Sequence, residues 1–291
     1  MTFTHIFTNL SMALGLVAGL AQAGPVGAPM TAPGGKVRIV LLHHSTGEIV
    51  YGAGLPTFFD AWNRSHGTRY EISEQNYPNT ARGHTWLLRI LRQKLFDRLV
   101  NHYPWENYPY DYWNLWVAHT GTSRDRAELN LDDLVKAYDV IIWKHCYPVS
   151  NVKPDDGQPS VSSPVKTLAN YKLQYQALKE RMRQFPSKRF IVWTPTALHQ
   201  ASTNPGDAAR ANQFSTWVKE VWDEPGDNIF VWDWRDLETR GDGLYIRPDL
   251  AKDPDSDYPN PAFAAQAAAL LGQRVVDVIE GRGESGGLTG K

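Results

Sequence analysis

The sequence has only one cysteine, Cys146, among 291 residues. A single cysteine excludes an internal disulfide bond and a cysteine-rich zinc site. The histidines are not spaced as paired metal ligands either: His43 and His44 are adjacent, but no HxxxH pattern occurs. The sequence therefore predicts neither a metal site nor another cofactor.

The chain also lacks an excess of charge of either sign, since its formal net charge is -1. This balance gives no electrostatic reason to expect nucleic acid or an anionic membrane as a partner. After residue 23, no apolar run is long enough to cross a bilayer. With 42% hydrophobic residues, the composition is typical of a globular domain.

The N-terminus has no Lys or Arg before its apolar segment, residues 11–20. Residues 21–23 are Ala-Gln-Ala, which fits the small-residue pattern of a signal-peptide cleavage site. We interpret residues 1–23 as a secretory signal, with a disordered or anchoring N-terminus as the alternative. Residues 24–35 are rich in Gly, Pro and Ala and predict a flexible linker. The mature protein is then expected to be periplasmic or secreted.

The first strong pattern of the chain is the apolar run of residues 37–42, broken only by Arg38, which two glycines and a lysine precede. Such a run predicts a strand that is buried on both faces, as in a parallel sheet. Ser45 and Gly47 follow at its carboxyl end. Because ligands of open α/β sheets bind beyond the carboxyl ends of the strands, we place the candidate active site at Ser45.

Strand and helix patterns alternate along the rest of the chain. Further strands are predicted at residues 69–74, 138–143, 189–193 and 228–232, and helices at 55–65, 85–102, 129–137, 165–185, 207–222 and 261–279. This alternation predicts a three-layer α/β/α fold with a central parallel sheet of about five strands. We expect one domain over residues 36–280, followed by a glycine-rich disordered tail, residues 281–291.

Aromatic residues are concentrated in residues 103–116, YPWENYPYDYWNLW. The prolines of this segment argue against a regular helix. Its rings either form an aromatic wall that stacks on sugar rings, or hold a long loop against the protein body. We favour the second interpretation.

Polar candidates follow successive strands of the predicted sheet. They are Ser45, Gly83, Asn151 and the segment 255–260 before the last helix. This order resembles the SGNH (GDSL-like) hydrolase superfamily, which implies a flavodoxin-like hydrolase fold. The resemblance implies that Ser45 is the nucleophile, and that Gly83 and Asn151 donate hydrogen bonds to the oxyanion. Gly121 is the second choice for the glycine.

The last motif departs from the family pattern. The family has Asp-x-x-His before its final helix, whereas this sequence has Asp255 followed by Tyr258. Asp255 would orient the catalytic base, and Tyr258 occupies the position of that base. A phenol with a pKa of about 10 is a poor base at neutral pH.

Three histidines are alternatives to the missing base. His44 adjoins Ser45, but neighbours on an extended strand point to opposite faces. His145 and His199 follow the third and fourth predicted strands, at the same edge of the sheet as Ser45. Cys146 is either a second nucleophile or a small buried apolar residue, and we favour the latter.

Two functions from different classes fit these residues. The first is an exported serine esterase that removes acyl groups, such as acetyl, from a carbohydrate. The second is a pseudoenzyme, in which the hydrolase cleft serves as a carbohydrate-binding or assembly module. The aromatic segment and the signal sequence alone point to a glycan ester as the partner.

Overall fold

The structure, a computed structural model, describes residues 27–30, 35–78, 106–121, 128–155, 157–241 and 243–291. Four predictions fall wholly or partly on other residues. The predicted signal segment 1–23, Gly83 and the helix predicted at 85–102 lie outside the described residues, as does much of the linker.

The described core contains a five-stranded parallel sheet with the strand order β2-β1-β3-β4-β5. The strands are β1 (Lys36–His43), β2 (Arg69–Asn76), β3 (Val140–Trp143), β4 (Arg189–Trp193) and β5 (Ile229–Trp232). This order is that of flavodoxin-like folds, in which the strand order across the sheet reverses between β1 and β3. The predicted fold class is therefore confirmed.

Helices cover both faces of this sheet. They are α1 (Thr46–Gly52), α2 (Leu55–His66), α3 (Pro109–Trp113), α4 (Leu131–Ala137), α5 (Leu168–Arg183), α6 (Pro205–Trp217), α7 (Trp234–Thr239) and α8 (Pro261–Ile279). Alternate residues of β1 divide the core. Ile39 and Leu41 pack with α1, α2 and α8, and Val40 and Leu42 pack with α3 to α6. The result is a three-layer α/β/α domain.

Helix α8 is apolar enough to resemble a membrane span. Its mean hydropathy is 1.3 over the most apolar window, but 61% of that window is buried inside the protein. Leu271 and Val275 of this helix belong to the same apolar cluster as β1. Its composition therefore fits a core helix.

The aromatic segment differs from the sequence expectation. The described part contains α3 and a π-helical turn, Asn114–Ala118, although its prolines argued against a helix. Pro109 is tolerated because it opens α3, where no backbone N–H is needed. Tyr108, Tyr112 and Trp116 are buried in the core. The described rings therefore pack into the protein body and do not form an exposed wall.

Both ends of the domain also pack more closely than expected. The tail 281–291 was predicted to be disordered, yet the Asp233 N–H donates to Leu288 O at 2.9 Å. Trp232 Nε1 likewise donates to Thr289 O at 3.1 Å. Within the predicted linker, the Met30 N–H donates to Ile279 O at 2.7 Å. These contacts fasten both segments beside β5 and the end of α8.

Candidate active site

Ser45 lies in a sharp turn between β1 and α1. Its backbone has φ 49° and ψ -105°, a region that residues other than glycine rarely adopt. Such a conformation costs on the order of 1–3 kcal/mol and persists only where the surroundings enforce it. The Ser45 side chain is half-buried, and its backbone N–H donates to no described residue. The turn thus presents both a hydroxyl and a free amide donor at the carboxyl edge of the sheet.

Two hydrogen bonds to one carbonyl hold this turn. His44 O accepts from the Gly47 N–H at 3.1 Å and from Lys144 Nζ at 3.1 Å. A Cβ on Gly47 would come within 2.3 Å of His43 Cβ and 3.0 Å of Lys144 Cδ. Only glycine therefore lets α1 begin this close to the end of β1.

Cys146 is the side chain from the β3 end that contacts Ser45. Its Sγ lies 3.6 Å from Ser45 Oγ, within hydrogen-bond reach for sulfur. The Cys146 N–H donates to both O and Oδ1 of Asn107, at 2.9 and 3.1 Å. Asn107 is itself buried. Its Nδ2 donates to Tyr77 O, and its backbone N–H donates to the Asp111 carboxylate. The half-buried thiol is therefore held firmly against the serine.

Asn151, the predicted oxyanion donor, is placed differently. It follows a 3-10 turn, Tyr147–Ser150, five residues beyond Cys146. Its N–H donates to Pro148 O at 3.4 Å, and no hydrogen bond joins its side chain to Ser45. The structure thus brings the Cys146 thiol into contact with Ser45, and the role of Asn151 stays a prediction. Gly121, the second choice for the glycine, lies exposed with its N–H bonded to Asp132 Oδ2 at 2.7 Å.

The loop before α8 approaches Ser45 through a short chain of hydrogen bonds. Thr46 Oγ1 lies 2.8 Å from the Tyr147 hydroxyl, which donates to the backbone carbonyl of Asp257. Asp257 Oδ1 in turn accepts from the His199 N–H at 2.6 Å. The edge of the site thus includes the carboxyl ends of β1, β3 and β4 together with this loop.

Within this loop, neither of the two predicted catalytic residues is hydrogen-bonded to Ser45. Asp255 is exposed and makes no hydrogen bond to a described residue. Tyr258 is 39% exposed, and its ring meets the Tyr147 ring edge-on with 5.3 Å between centroids. Tyr258 therefore lies beside Tyr147 at the edge of the site. It is not hydrogen-bonded to the Ser45 hydroxyl, as a catalytic base would be.

Neither of the two predicted substitute bases is hydrogen-bonded to Ser45. His145 is fully buried between the rings of Tyr112, Trp143 and Tyr175, and burial lowers its pKa. Neither of its ring nitrogens has a hydrogen-bond partner in the described part of the chain. His199 Nδ1 accepts from the Ala201 N–H at 3.1 Å, so its neutral ring carries the proton on Nε2.

His44 has the tautomer that a base requires. Its Nε2 lies 3.0 Å from the Pro78 carbonyl oxygen, which can only accept, so Nε2 carries the proton. Its Nδ1 therefore keeps a lone pair. Burial and the nearby Lys144 together lower the pKa of His44 to about 4, against the raising effect of its hydrogen bond to Pro78, so the ring is neutral at pH 7. The alternation argument against His44 fails because Ser45 leaves the extended conformation.

An open groove of about 420 Å³ runs beside this turn, between α1 and the start of α8. Ile49, Gly52, Pro259 and Ala264 line it. Ile49 and Gly52 belong to α1, the helix that begins directly after Ser45. Among the described residues, no group of three or more His, Cys, Asp or Glu is placed to hold a metal ion.

Comparisons with known proteins leave the family open. No protein-family model matches the chain, and no curated protein matches it. Among solved structures, the chain is similar to BT4096, described as a gut microbial diltiazem-metabolizing enzyme, with 10% identity and a TM-score of 0.43. The match covers 87% of this chain and 49% of the other, so this chain spans about half the length of that protein. A similarity this low carries no argument about function.

Proposed function

We propose that this protein is a hydrolase of carboxylic esters of the SGNH type, with Ser45 as its nucleophile. The observation that carries this proposal is the strained backbone of Ser45 at the strand-to-helix turn. A nucleophilic serine on such a turn is exposed above a parallel sheet, with free amides beside it. Strain of this kind is retained at functional sites because it pre-organises the reacting group.

The proposed reaction uses groups of the turn itself. Ser45 Oγ attacks the acyl carbon while its proton passes to His44 Nδ1, directly or through one water. The Ser45 N–H donates to the oxyanion, a contribution worth about 3 kcal/mol per donor. The alcohol leaves with the proton from His44, and water then releases the acid from the acyl-enzyme. Gly83 and Asn151 remain proposed as further donors.

The substrate is proposed from weaker support. The signal pattern of residues 1–23 favours an exported protein, and the exposed ring of Tyr258 beside the site suits stacking on a sugar. We therefore keep an acylated carbohydrate, met in the periplasm or outside the cell, as the proposed substrate class. The buried rings of α3 give no support to it.

The test is hydrolysis of 4-nitrophenyl acetate by the protein without residues 1–23. We expect turnover in the native sequence and its loss in Ser45→Ala, and a matched Ser162→Ala variant, changed on an exposed loop, keeps full activity. Equal activity in native protein and Ser45→Ala would refute the assignment of the nucleophile.

A second function is favoured by one observation: no imidazole is hydrogen-bonded to Ser45 among the described residues. A pseudoenzyme would retain the cleft to bind a glycan, with Tyr258 as a stacking face. In that case the native protein is inactive and binds an acetylated oligosaccharide. Turnover that arises only after Tyr258→His, and is lost again in the Ser45→Ala, Tyr258→His double variant, supports this reading against the first.

A further inference from the structure

Lys144 is a buried lysine without a carboxylate partner. Its residue is 2% exposed, and no Asp or Glu oxygen among the described residues lies within ion-pair distance of its Nζ. In the described part of the chain, its one hydrogen-bond acceptor is the carbonyl of His44, at 3.1 Å, and the Trp193 ring lies 5.9 Å away. Burying an ammonium ion is costly unless a carboxylate or several acceptors compensate it. Such a group in a cleft is a candidate for function.

The position of this ammonium matters because of the peptide group that it contacts. The carbonyl of His44 and the N–H of Ser45 belong to the same planar amide. A charged donor on the oxygen of an amide polarises it, which makes the N–H at its other end a stronger donor. That N–H has no described acceptor of its own, so it is available to a ligand.

We propose that Lys144 is a positioning residue that acts on the Ser45 amide through the His44 carbonyl. It holds the strained turn in place and strengthens the Ser45 N–H as an oxyanion donor. This inference rests on the proposed hydrolase function. It goes beyond that function by assigning a role to a residue whose side chain is hydrogen-bonded to neither the Ser45 hydroxyl nor the His44 imidazole.

The protonation state of Lys144 then controls the strength of this donor. Burial lowers the pKa of Lys144 to about 8, while Cys146 and Glu238 oppose that shift. The titratable groups that surround Lys144 are His43, His44, His145, Cys146 and Glu238. Burial keeps the three imidazoles neutral at pH 7, whereas burial raises the pKa of Glu238 to about 8. A pH titration must therefore separate Lys144 from Glu238.

Two variants make this separation. Lys144→Met removes the charge but keeps an unbranched side chain in the same space. The matched control is Lys179→Met, because Lys179 is equally buried, at 1%, but is paired with Glu224 on the α5 side of the sheet. In hydrolysis assays, we expect kcat to fall by about tenfold in Lys144→Met with KM unchanged. This is less than the loss of about a hundredfold on deleting a whole oxyanion donor. Lys179→Met keeps the native kcat.

The dependence of kcat on pH distinguishes this role from a purely structural one. The native kcat should decline above about pH 8, as Lys144 loses its proton. This decline should be absent in Lys144→Met. In Glu238→Gln it should occur at lower pH, because the Glu238 carboxylate raises the pKa of Lys144. An unchanged alkaline limb in Lys144→Met would overturn the inference.

A second measurement needs no catalytic activity. His-Ser occurs only once in the sequence, at residues 44–45. Protein labelled with carbonyl-¹³C histidine and ¹⁵N serine therefore gives one correlated NMR signal from this amide. We expect the signal to shift with a midpoint near pH 8 in the native protein and in Lys179→Met, and to stay constant in Lys144→Met.

These two measurements distinguish the two ways in which the account can fail. If no ester is hydrolysed but the amide signal titrates as described, the proposed function fails and the role of Lys144 on the amide stands. If esters are hydrolysed through Ser45 and the amide signal does not titrate in the native protein, the inference about Lys144 is wrong and the hydrolase assignment stands.

Discussion

Ser45 Oγ lies 3.6 Å from Cys146 Sγ, which places the single thiol of the chain in contact with the proposed nucleophile. The two residues follow the neighbouring strands β1 and β3, whose carboxyl ends are side by side. We therefore expect a group attached to this sulfur to crowd the Ser45 hydroxyl.

Alkylation of Cys146 is accordingly expected to block the site. Treatment with iodoacetamide should reduce ester hydrolysis by at least about tenfold, because small displacements at a reacting centre have effects of this size or larger. Mass spectrometry would verify one adduct per chain. The Cys146→Ser variant, which keeps a hydrogen-bonding group beside Ser45, should stay active and resist the reagent. Full activity of completely alkylated native protein would contradict the placement of the thiol.

The close approach of α1 to β1 makes a prediction about stability. Gly47→Ala should lower the free energy of unfolding by ~1–3 kcal/mol or more, because the new Cβ overlaps the His43 side chain. Gly52→Ala is the matched control in the same helix, since a Cβ there meets no atom within 4 Å. Its stability should be unchanged or higher by up to about 1 kcal/mol. Urea unfolding measures both, and equal stability of the two variants would show that the turn is not tightly packed.

The neutral His44 makes the fold sensitive to acid. Its pKa is about 4 when folded, against an ordinary value of 6.5, because burial disfavours the charged ring. Below pH 6.5 the ring binds a proton in the unfolded chain before it does so in the folded chain. The free energy of unfolding therefore decreases as the pH falls from about 6.5 to about 4. The loss attributable to this ring is about 3 kcal/mol in order of magnitude.

Urea unfolding between pH 7 and pH 4 tests this assignment. The decline should be smaller in His44→Asn than in the native protein, whereas a change at the exposed His66, such as His66→Gln, should leave it as it is. An identical decline in all three proteins would show that His44 does not titrate in this way.

The groove beside α1 predicts a preference for the acyl chain. Gly52 faces it and has open space around its Cβ position, so Gly52→Phe fills the groove without disturbing the fold. We expect little change with 4-nitrophenyl acetate, but about tenfold or greater loss of kcat/KM with the octanoate ester, since several buried methylenes each contribute about 0.8 kcal/mol. Gly157→Phe, on a loop with similar free space, serves as control. Equal losses for both esters would place the acyl chain elsewhere.

Much of the fold was predictable because its signals are local. The apolar runs of β1, β4 and β5 predicted buried parallel strands, and the start of α8 follows from Asn260 and Pro261. Helix α1 was missed because it has only seven residues, with Gly47 second and Gly52 last, and so carries too little periodicity. The tail 281–291 was mistaken for disorder because its contacts with β5 are distant in sequence.

The site was predictable only in part, since it depends on where the chain turns. Ser45 was singled out from its position after β1, and the structure places it at a strained strand-to-helix turn. Sequence alone did not reveal the contact between Ser45 Oγ and Cys146 Sγ, which depends on where the chain turns after β3. Lys144 was overlooked for a similar reason. A lysine after an apolar strand is usually exposed, and here Gly47 lets α1 pack over it.

The central claim is that Ser45, and no neighbouring group, becomes acylated. It is tested most directly by brief incubation with 4-nitrophenyl acetate, acid quenching and peptide mass mapping. We predict one acetyl group on the peptide that contains Ser45, and none in Ser45→Ala. An acetyl group on Cys146, or no adduct in native protein that still releases nitrophenol, would contradict the account.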